Sequence, residues 1–175
     1  MVYIFLANGF EDVEAIQPRD LLLRAGIKVT TVGVGAKTVK SAFGLTVTAD
    51  ITEDEFSPAD AEAIIFPGGM PGAANLAVSP TVKNAIAFAL EHNRVIGAIC
   101  AAPGVVLANT GALSEKNYTC FPGFEVSEGN YTAAKVERDG NLVTGNGPAA
   151  AAEFAAVVAG AITPKAEDLI RKMYK

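Results

Sequence analysis

A cysteine lies where a buried strand is predicted to give way to a helix. In the stretch "AICAAPGVVLA" (98–108), Cys100 follows an apolar run and precedes small residues and a proline that suit a helix start. A thiol at that position faces the partial positive charge of the helix N-terminus, which stabilises the nucleophilic thiolate. We therefore expect a thiol pKa below the ~8.5 of a free cysteine. Position alone leaves a reactive thiol and a buried core cysteine as equal alternatives.

A carboxyl group that could serve this thiol is found in "NGFEDVEAIQP" (8–18), the segment after the first predicted strand. Acidic side chains favour helix N-termini in any protein, so most of the acids there need no functional explanation. Glu14 differs, since burial beside a thiolate would raise the pKa of its carboxyl. Such a group could donate a hydrogen bond to the sulfur or move a proton during a reaction.

Backbone amides for a developing negative charge are available in "FPGGMPG" (66–72), at the end of another predicted strand. Glycine lets the backbone approach a ligand closely and point N–H groups at an anion. With the N–H of Ala101, the residue after the cysteine, Gly68 and Gly69 could form an oxyanion hole. Taken alone, Pro-Gly-Gly is also an ordinary turn.

The single histidine does not complete this set. His92 lies in the polar stretch "EHNR", just before a predicted strand, whereas the residues above follow strand ends. The topology places it at the opposite edge of the sheet, so a Cys-His dyad within one chain is not expected. Cys100 and Cys120 with one distant histidine do not form a zinc site. We expect neither a metal nor a cofactor.

The elements that must position these residues alternate between strands and helices. Strands are predicted at 2–7, 27–34, 61–69 and 94–99, of which 2–7, 61–66 and 95–99 are unbroken apolar runs. A hairpin is predicted at 38–50, and short strands near 117–121 and 133–144. Helices are predicted at 12–25, 71–78, 80–92, 101–109, 148–160 and 164–174. The alternation indicates an α/β fold with a mostly parallel sheet covered by helices on both faces. We expect one domain over residues 1–175, with the candidate residues gathered at the carboxyl edge of the sheet.

The amino-acid composition limits the kinds of molecule that this chain could bind. The 175 residues include 14 Lys and Arg against 19 Asp and Glu, a net charge of −5. That balance disfavours nucleic acid, which requires basic patches, and anionic membrane surfaces. No apolar run approaches the ~20 residues of a membrane span, and "MVYIFLANGF" lacks a basic leader. The sequence therefore predicts a cytoplasmic protein with reduced thiols.

Taken together, these segments resemble the DJ-1/ThiJ/PfpI superfamily, and more closely its ThiJ/DJ-1 branch, because Ala101 stands where PfpI peptidases have a histidine. The resemblance also rests on "IIFPGG" (64–69) and "GNGPAAAAEFA" (145–155). It implies a flavodoxin-like three-layer sandwich, usually a homodimer, with Cys100 on a nucleophile elbow and Glu14 as its protonated partner. It also implies oxyanion amides at Gly69 and Ala101, and an arginine near the site at Arg24.

Two positions depart from the DJ-1 branch. Phe121 precedes Pro122 where that branch has a His-Pro pair, and Phe43 stands where it has an arginine. We therefore expect a more apolar pocket, less suited to anionic ligands, in which Glu14 would move protons without a histidine.

Three functions follow from these residues. The first is a glyoxalase- or deglycase-like enzyme, in which Cys100 adds to a small α-oxoaldehyde and Glu14 moves the proton. The second is a sensor without turnover, in which an oxidant converts Cys100 to a stabilised sulfinate. The third is a cysteine peptidase of the PfpI type, which is disfavoured because the base that activates such a cysteine is missing.

Overall fold

A computed structural model describes residues 1–174 of the chain. Its eleven strands are β1 Val2–Leu6, β2 Val29–Gly33, β3 Thr38–Lys40, β4 Thr46–Thr48, β5 Ile51–Thr52, β6 Ala63–Phe66, β7 Val95–Ile99, β8 Asn117–Tyr118, β9 Asn130–Tyr131, β10 Val136–Asp139 and β11 Leu142–Gly145. Its six α-helices are α1 Asp12–Arg24, α2 Gly72–Val78, α3 Pro80–Glu91, α4 Ala102–Val105, α5 Ala151–Ile162 and α6 Pro164–Met173.

Seven strands form the central sheet, in the order β10-β11-β7-β6-β1-β2-β5. All neighbours in it are parallel except β10 and β11, which form an antiparallel hairpin at one edge. The chain builds outward from β1 on one side and then crosses to β6 on the other. Loops after β1 and β6 therefore diverge at this switch point, where ligands bind in open α/β sheets.

Helices cover both faces of this sheet. Helices α1, α5 and α6 pack on one face, and α2, α3 and α4 on the other. The three central strands, β7, β6 and β1, are buried along their whole length, as their apolar sequences require. The predicted flavodoxin-like three-layer sandwich is confirmed. None of the helices in the described part of the chain is long and apolar enough to cross a membrane.

The sequence-based prediction fails at the helix after Cys100. A helix was expected over 101–109, but α4 ends at Val105, and the chain continues in turns. Asn109 adopts a left-handed φ of 60°, and Glu128 accepts hydrogen bonds from the N–H groups of Asn109 (2.6 Å) and Gly111 (3.0 Å). A side chain from a distant segment thus satisfies backbone donors that a longer helix would have bonded internally. One helical turn carries little dipole, so less stabilisation of a Cys100 thiolate follows from it.

Candidate active site

Cys100 sits on a sharp turn directly after β7. Its φ of 63° lies in the left-handed region, which costs a non-glycine residue on the order of 1–3 kcal/mol. Two backbone hydrogen bonds of 2.8 Å hold the turn: the Cys100 N–H donates to Gly145 O, and the Phe121 N–H donates to Cys100 O. A strained backbone fixed from both sides points the thiol out of the strand end, as the expected elbow requires.

Glu14 is the buried acid beside this thiol. It lies in the first turn of α1, where Glu11 caps the helix by accepting the Glu14 N–H at 2.8 Å. The Glu14 side chain is fully buried, and its Oε2 accepts the Gly68 N–H at 2.9 Å. Its Oε1 accepts no hydrogen bond from any nitrogen or oxygen of residues 1–174. The Cys100 Cβ and Glu14 Oε2 meet at Gly68, so the thiol and the carboxyl are neighbours and form a pair.

The loop after β6 fits against this pair because Gly68 has no side chain. A Cβ there would lie 2.6 Å from Cys100 Cβ, 2.7 Å from Glu14 Oε2 and 3.0 Å from Ala101 N. Thus the cysteine, the carboxyl and an amide nitrogen converge on one glycine. Gly68 also accepts the Glu11 N–H at 3.0 Å, which ties this loop to the start of α1.

The backbone amides of Gly69 and Ala101 lie near the Cys100 thiol. They partly offset the burial and the Glu14 charge that raise the pKa of this thiol. Gly69 has a φ of 83°, and a Cβ there would come within 2.5 Å of Glu11 N and Gly9 O. Only glycine allows this close approach between the two loops. The predicted oxyanion amides therefore lie beside the thiol, with backbone contacts fixing their position.

The pKa of the Cys100 thiol is not low, as the sequence led us to expect, but raised. Burial raises the pKa of Glu14 to about 7, and the nearby Glu11 carboxylate acts in the same direction. Burial, followed by the negative charge of Glu14, raises the pKa of Cys100 to about 12. The Glu14 carboxylate thus opposes ionisation of the thiol, whereas the neutral thiol favours the ionised form of Glu14. Between these two pKa values the pair holds one proton and one negative charge, which sulfur and carboxyl oxygen can exchange.

The pair opens into a cleft of about 480 Å³. Its wall and rim are largely apolar, with Phe43, Met70, Phe121 and Pro148 among the lining residues. The charged side chains lining it are both acidic, Glu11 and Glu14, and no Lys or Arg of the described residues joins them. Such a cleft suits a small neutral molecule and disfavours an anion.

One wall of the cleft is the β3–β4 hairpin, which is bonded to the loop between β1 and α1. The Lys40 N–H donates to Asn8 Oδ1 at 2.8 Å, and the Ser41 hydroxyl donates to Asp12 Oδ1 at 2.9 Å. Two backbone bonds of 2.8 Å, from Gly9 N to Lys40 O and from Ala42 N to Phe10 O, complete the connection. The hairpin that presents Phe43 is thus fixed to the segment that leads into Glu14.

Four of the six expected site residues line this cleft: Cys100, Glu14, Gly69 and Phe121. Ala101, the residue after the cysteine, is buried behind it. Arg24 does not join them within one chain. It lies ten residues beyond Glu14 on α1, roughly 15 Å along the helix, and pairs with Asp20 at 2.8 Å. His92 is exposed and lies before the amino end of β7, whereas Cys100 follows its carboxyl end. Among residues 1–174, no cluster of three or more His, Cys, Asp or Glu could hold a metal ion.

The second cysteine is not part of the cleft. Cys120 is fully buried in the core on the α2–α4 face. Burial and, after it, the charge of Glu125 raise the pKa of its thiol to about 11. Cys120 therefore offers a matched control for any experiment on the thiol of Cys100.

Gly68 and Glu11 have larger roles than the sequence indicated. From the sequence, Pro-Gly-Gly is interpreted as a turn with backbone N–H donors, and Glu11 as an ordinary acidic residue near the start of a helix. Only the packing reveals that Gly68 separates Cys100 from Glu14 without a side chain between them, and that Glu11 raises the pKa of Glu14. Two adjacent glycines at the end of a buried strand were the available signal.

Replacing Gly68 by alanine is expected to push the cysteine and the carboxyl apart. We expect iodoacetamide to modify Cys100 at least about tenfold faster at pH 8, because the Glu14 charge that helps to raise the pKa of the thiol moves away. We expect stability to fall by roughly 1–3 kcal/mol, as for other overpacked sites. Alkylation rates and urea unfolding measure both effects. Gly26→Ala is the control, since its φ is 81° but no atom lies within 4 Å. It should lose stability alone, and unchanged alkylation in Gly68→Ala would contradict the packing argument.

The chain is similar in sequence to known proteins over most of its length. The sequence profile described as the DJ-1/PfpI family matches residues 1–161. The zebrafish (Danio rerio) Parkinson disease protein 7 homolog is 34% identical over 162 residues, which cover 89% of this chain and 85% of the relative. The Schizosaccharomyces pombe protein named glutathione-independent glyoxalase DJ-1 is 32% identical over 166 residues, covering 87% and 86%.

A solved structure supports the same assignment. The structure titled "Toxoplasma gondii DJ-1, oxidized" superposes with a TM-score of 0.91 at 27% identity, covering 98% of this chain and 96% of that one. The match thus extends over the whole sandwich, including the strand ends that form the cleft. With a family profile across most of its length and full-length relatives above 30% identity, the chain belongs to the DJ-1/PfpI family, and its relatives place it with the DJ-1 type.

Proposed function

We propose that the chain is a glyoxalase-type enzyme, which converts a small neutral α-oxoaldehyde such as methylglyoxal to the 2-hydroxy acid without glutathione. The observation that carries the proposal is the Cys100–Glu14 pair, a nucleophile in contact with a buried carboxyl whose pKa is raised to about 7. The name of the fission-yeast relative, a glutathione-independent glyoxalase, supports the same reaction.

In the first step the sulfur of Cys100 bonds to the aldehyde carbon. The thiol proton passes to the Glu14 carboxylate, so this carboxyl replaces the base that a histidine supplies in other cysteine enzymes. The aldehyde oxygen becomes negative beside the amides of Gly69 and Ala101, which stabilise it. It then takes the proton from Glu14, giving a hemithioacetal and restoring the carboxylate.

The second step moves hydrogen between the two former carbonyl carbons. Glu14 removes the C–H proton of the hemithioacetal carbon, and the electron pair passes to the neighbouring carbonyl as an enediolate. Glu14 returns the proton to that neighbouring carbon, while the hydroxyl proton moves to its oxygen. One carbon is oxidised and the other reduced, so no external oxidant is needed. The product on Cys100 is a thioester, which water hydrolyses to the 2-hydroxy acid and the free thiol.

The cleft supports a neutral substrate. Phe43 and Phe121 offer apolar contact at the rim, while Glu11 and Glu14 repel an anion. The departures from the DJ-1 branch noted in the sequence thus act on substrate choice. A small alkyl or aryl group on the oxoaldehyde suits this surface better than a carboxylate or phosphate would.

The direct test is lactate formed from methylglyoxal by the purified chain in the absence of glutathione. We expect steady turnover, and we expect Cys120→Ala to retain most of it, because that thiol is buried away from the cleft. Protein alkylated beforehand with iodoacetamide is the negative control. Lactate formation no faster with native than with alkylated protein would overturn the proposal.

The other two functions receive less support. Peroxide reacts with a thiolate, and the pKa of Cys100 is raised to about 12, so sulfur oxidation ranks below carbonyl chemistry as the main function. A peptidase requires a base that takes the thiol proton and then, as an acid, gives it to the leaving amine. His92, the one histidine, lies at the other edge of the sheet. The homodimer expected from the resemblance stays a prediction, for which exposed Val13, Ile16 and Leu45 provide an apolar surface.

A further inference from the structure

A small cavity lies at the amino edge of the sheet, the edge opposite Cys100. It has a volume of about 220 Å³ and is bordered by the end of α3, the starts of β7 and β11, and the segment around residues 112–116. Its polar lining residues are Asn93, Arg94, Lys116 and Asn141. Ile96 and Leu142 contribute to an apolar floor. We call it the amino-edge cavity.

Arg94 enters this cavity with its charge uncompensated. No carboxylate of residues 1–174 forms an ion pair with it, and its Nε is buried without a hydrogen-bonding partner in the same residues. A guanidinium stays charged under all ordinary conditions, and its donors are arranged to bind a carboxylate or phosphate through two hydrogen bonds. A buried donor left without a partner is unfavourable, so an acceptor in the cavity would be stabilising.

Lys116 supplies a second positive charge to the same space. Its Nζ bonds to Asp139 Oδ1 at 3.1 Å, and Asp139 also accepts the Asn117 N–H at 3.0 Å. Asp139 does not line the cavity, and neither does any other acid among the described residues. Even with Asp139 counted, Arg94 and Lys116 leave one net positive charge, in a chain whose total charge is −5.

We propose that the amino-edge cavity binds a small oxyanion, a carboxylate or a phosphate, with Arg94 as the main ligand and Lys116 as the second. Since a water molecule takes roughly 30 Å³ in the liquid, the cavity has room for an anion of a few heavy atoms. The floor around Ile96 and Leu142 would accept a short alkyl group on a carboxylate. This site is separate from the Cys100 cleft, so it stands whether or not the chain is a glyoxalase.

The test is a titration of ¹⁵N-labelled protein at constant ionic strength, with phosphate in one arm and propionate in the other. We expect saturable amide shifts at Asn93, Lys116 and Asn141, with a dissociation constant on the order of 1 mM. The arm with the tighter binding identifies the anion class. Shifts that stay linear or scatter over the whole surface in both arms would overturn the proposal.

Variants separate the cavity from general charge effects. Arg94→Gln should weaken binding at least about tenfold. Arg94→Lys keeps the charge but loses the paired N–H donors of the guanidinium, so its affinity should lie between that of Arg94→Gln and that of the wild type. Lys116→Gln should weaken binding several-fold. Lys165→Gln, an exposed residue on α6, is the matched control and should change nothing. The spectra report whether each variant is folded. If Lys116→Gln and Arg94→Lys both bound the anion as tightly as the wild type does, the site would also be rejected.

Discussion

Replacing Cys100 by alanine is expected to abolish the conversion of methylglyoxal to lactate, lowering kcat/KM by at least about 10³-fold. In the proposed mechanism the sulfur forms the covalent bond to the aldehyde carbon, and no other side chain that lines the cleft is a nucleophile of that kind. Glu14 alone cannot hold the substrate during the proton transfer. Enzymatic determination of lactate, with the uncatalysed rate subtracted, measures the loss.

Two further variants test this result. Cys100→Ser keeps the shape of the side chain, but its hydroxyl is a far weaker acid, so we expect a loss nearly as large. Cys100→Gly should be inactive yet more stable by about 1 kcal/mol, because glycine adopts the left-handed φ of 63° without strain. Activity of Cys100→Ala within tenfold of wild type would show that the reaction does not use this thiol.

Replacing Glu14 by glutamine is expected to lower turnover by about 10²- to 10⁴-fold, the usual contribution of a general acid–base group. Glutamine keeps the size of the side chain but cannot accept the thiol proton. In the wild type, the rate of Cys100 alkylation should rise with a midpoint near pH 7, where the pair loses its first proton. The variant should lose this step and titrate once, at higher pH. A midpoint that stays near 7 would contradict the pairing.

The stability of the same variant gives an independent readout. The pKa of Glu14 is about 7 in the fold against an ordinary value of 4.5, so the folded state holds a proton that the unfolded state has released. Wild-type stability should therefore fall as pH rises from 4.5 to 7, by up to ~3 kcal/mol. Glu14→Gln carries no such charge, so its stability relative to wild type should increase over that range. Urea unfolding of both proteins at pH 5 and pH 8 measures this difference in stability. If the difference were the same at both pH values, the result would argue against a buried carboxylate.

Much of the site could be predicted because of where its residues lie along the chain. Cys100 and Gly69 follow buried parallel strands within three residues, and Glu14 lies in the first turn of the helix after β1. Parallel strands place their carboxyl ends at one edge. Short connections leave such residues little freedom to lie elsewhere. The same rule correctly separated His92 from the cleft, since it precedes its strand.

Features that depend on distant contacts could not be predicted. The run after Cys100 has a helical composition, but Glu128, far along the chain, bonds the amides that end α4 early. Arg24 matched a family position, yet ten residues along α1 separate it from Glu14. The raised pKa of Cys100 depends on how deeply Cys100 itself is buried and on how near the Glu14 charge lies, and a sequence specifies neither.

The bonds between the β3–β4 hairpin and the loop before α1 have a consequence for water. Because Lys40 and Ser41 are held to Asn8 and Asp12, the wall that presents Phe43 and the segment that leads to Glu14 move as one body. Phe43 itself is 80% exposed, so the wall does not fold over the opening as a lid would. We therefore expect water to reach the thioester of the proposed mechanism without a conformational change.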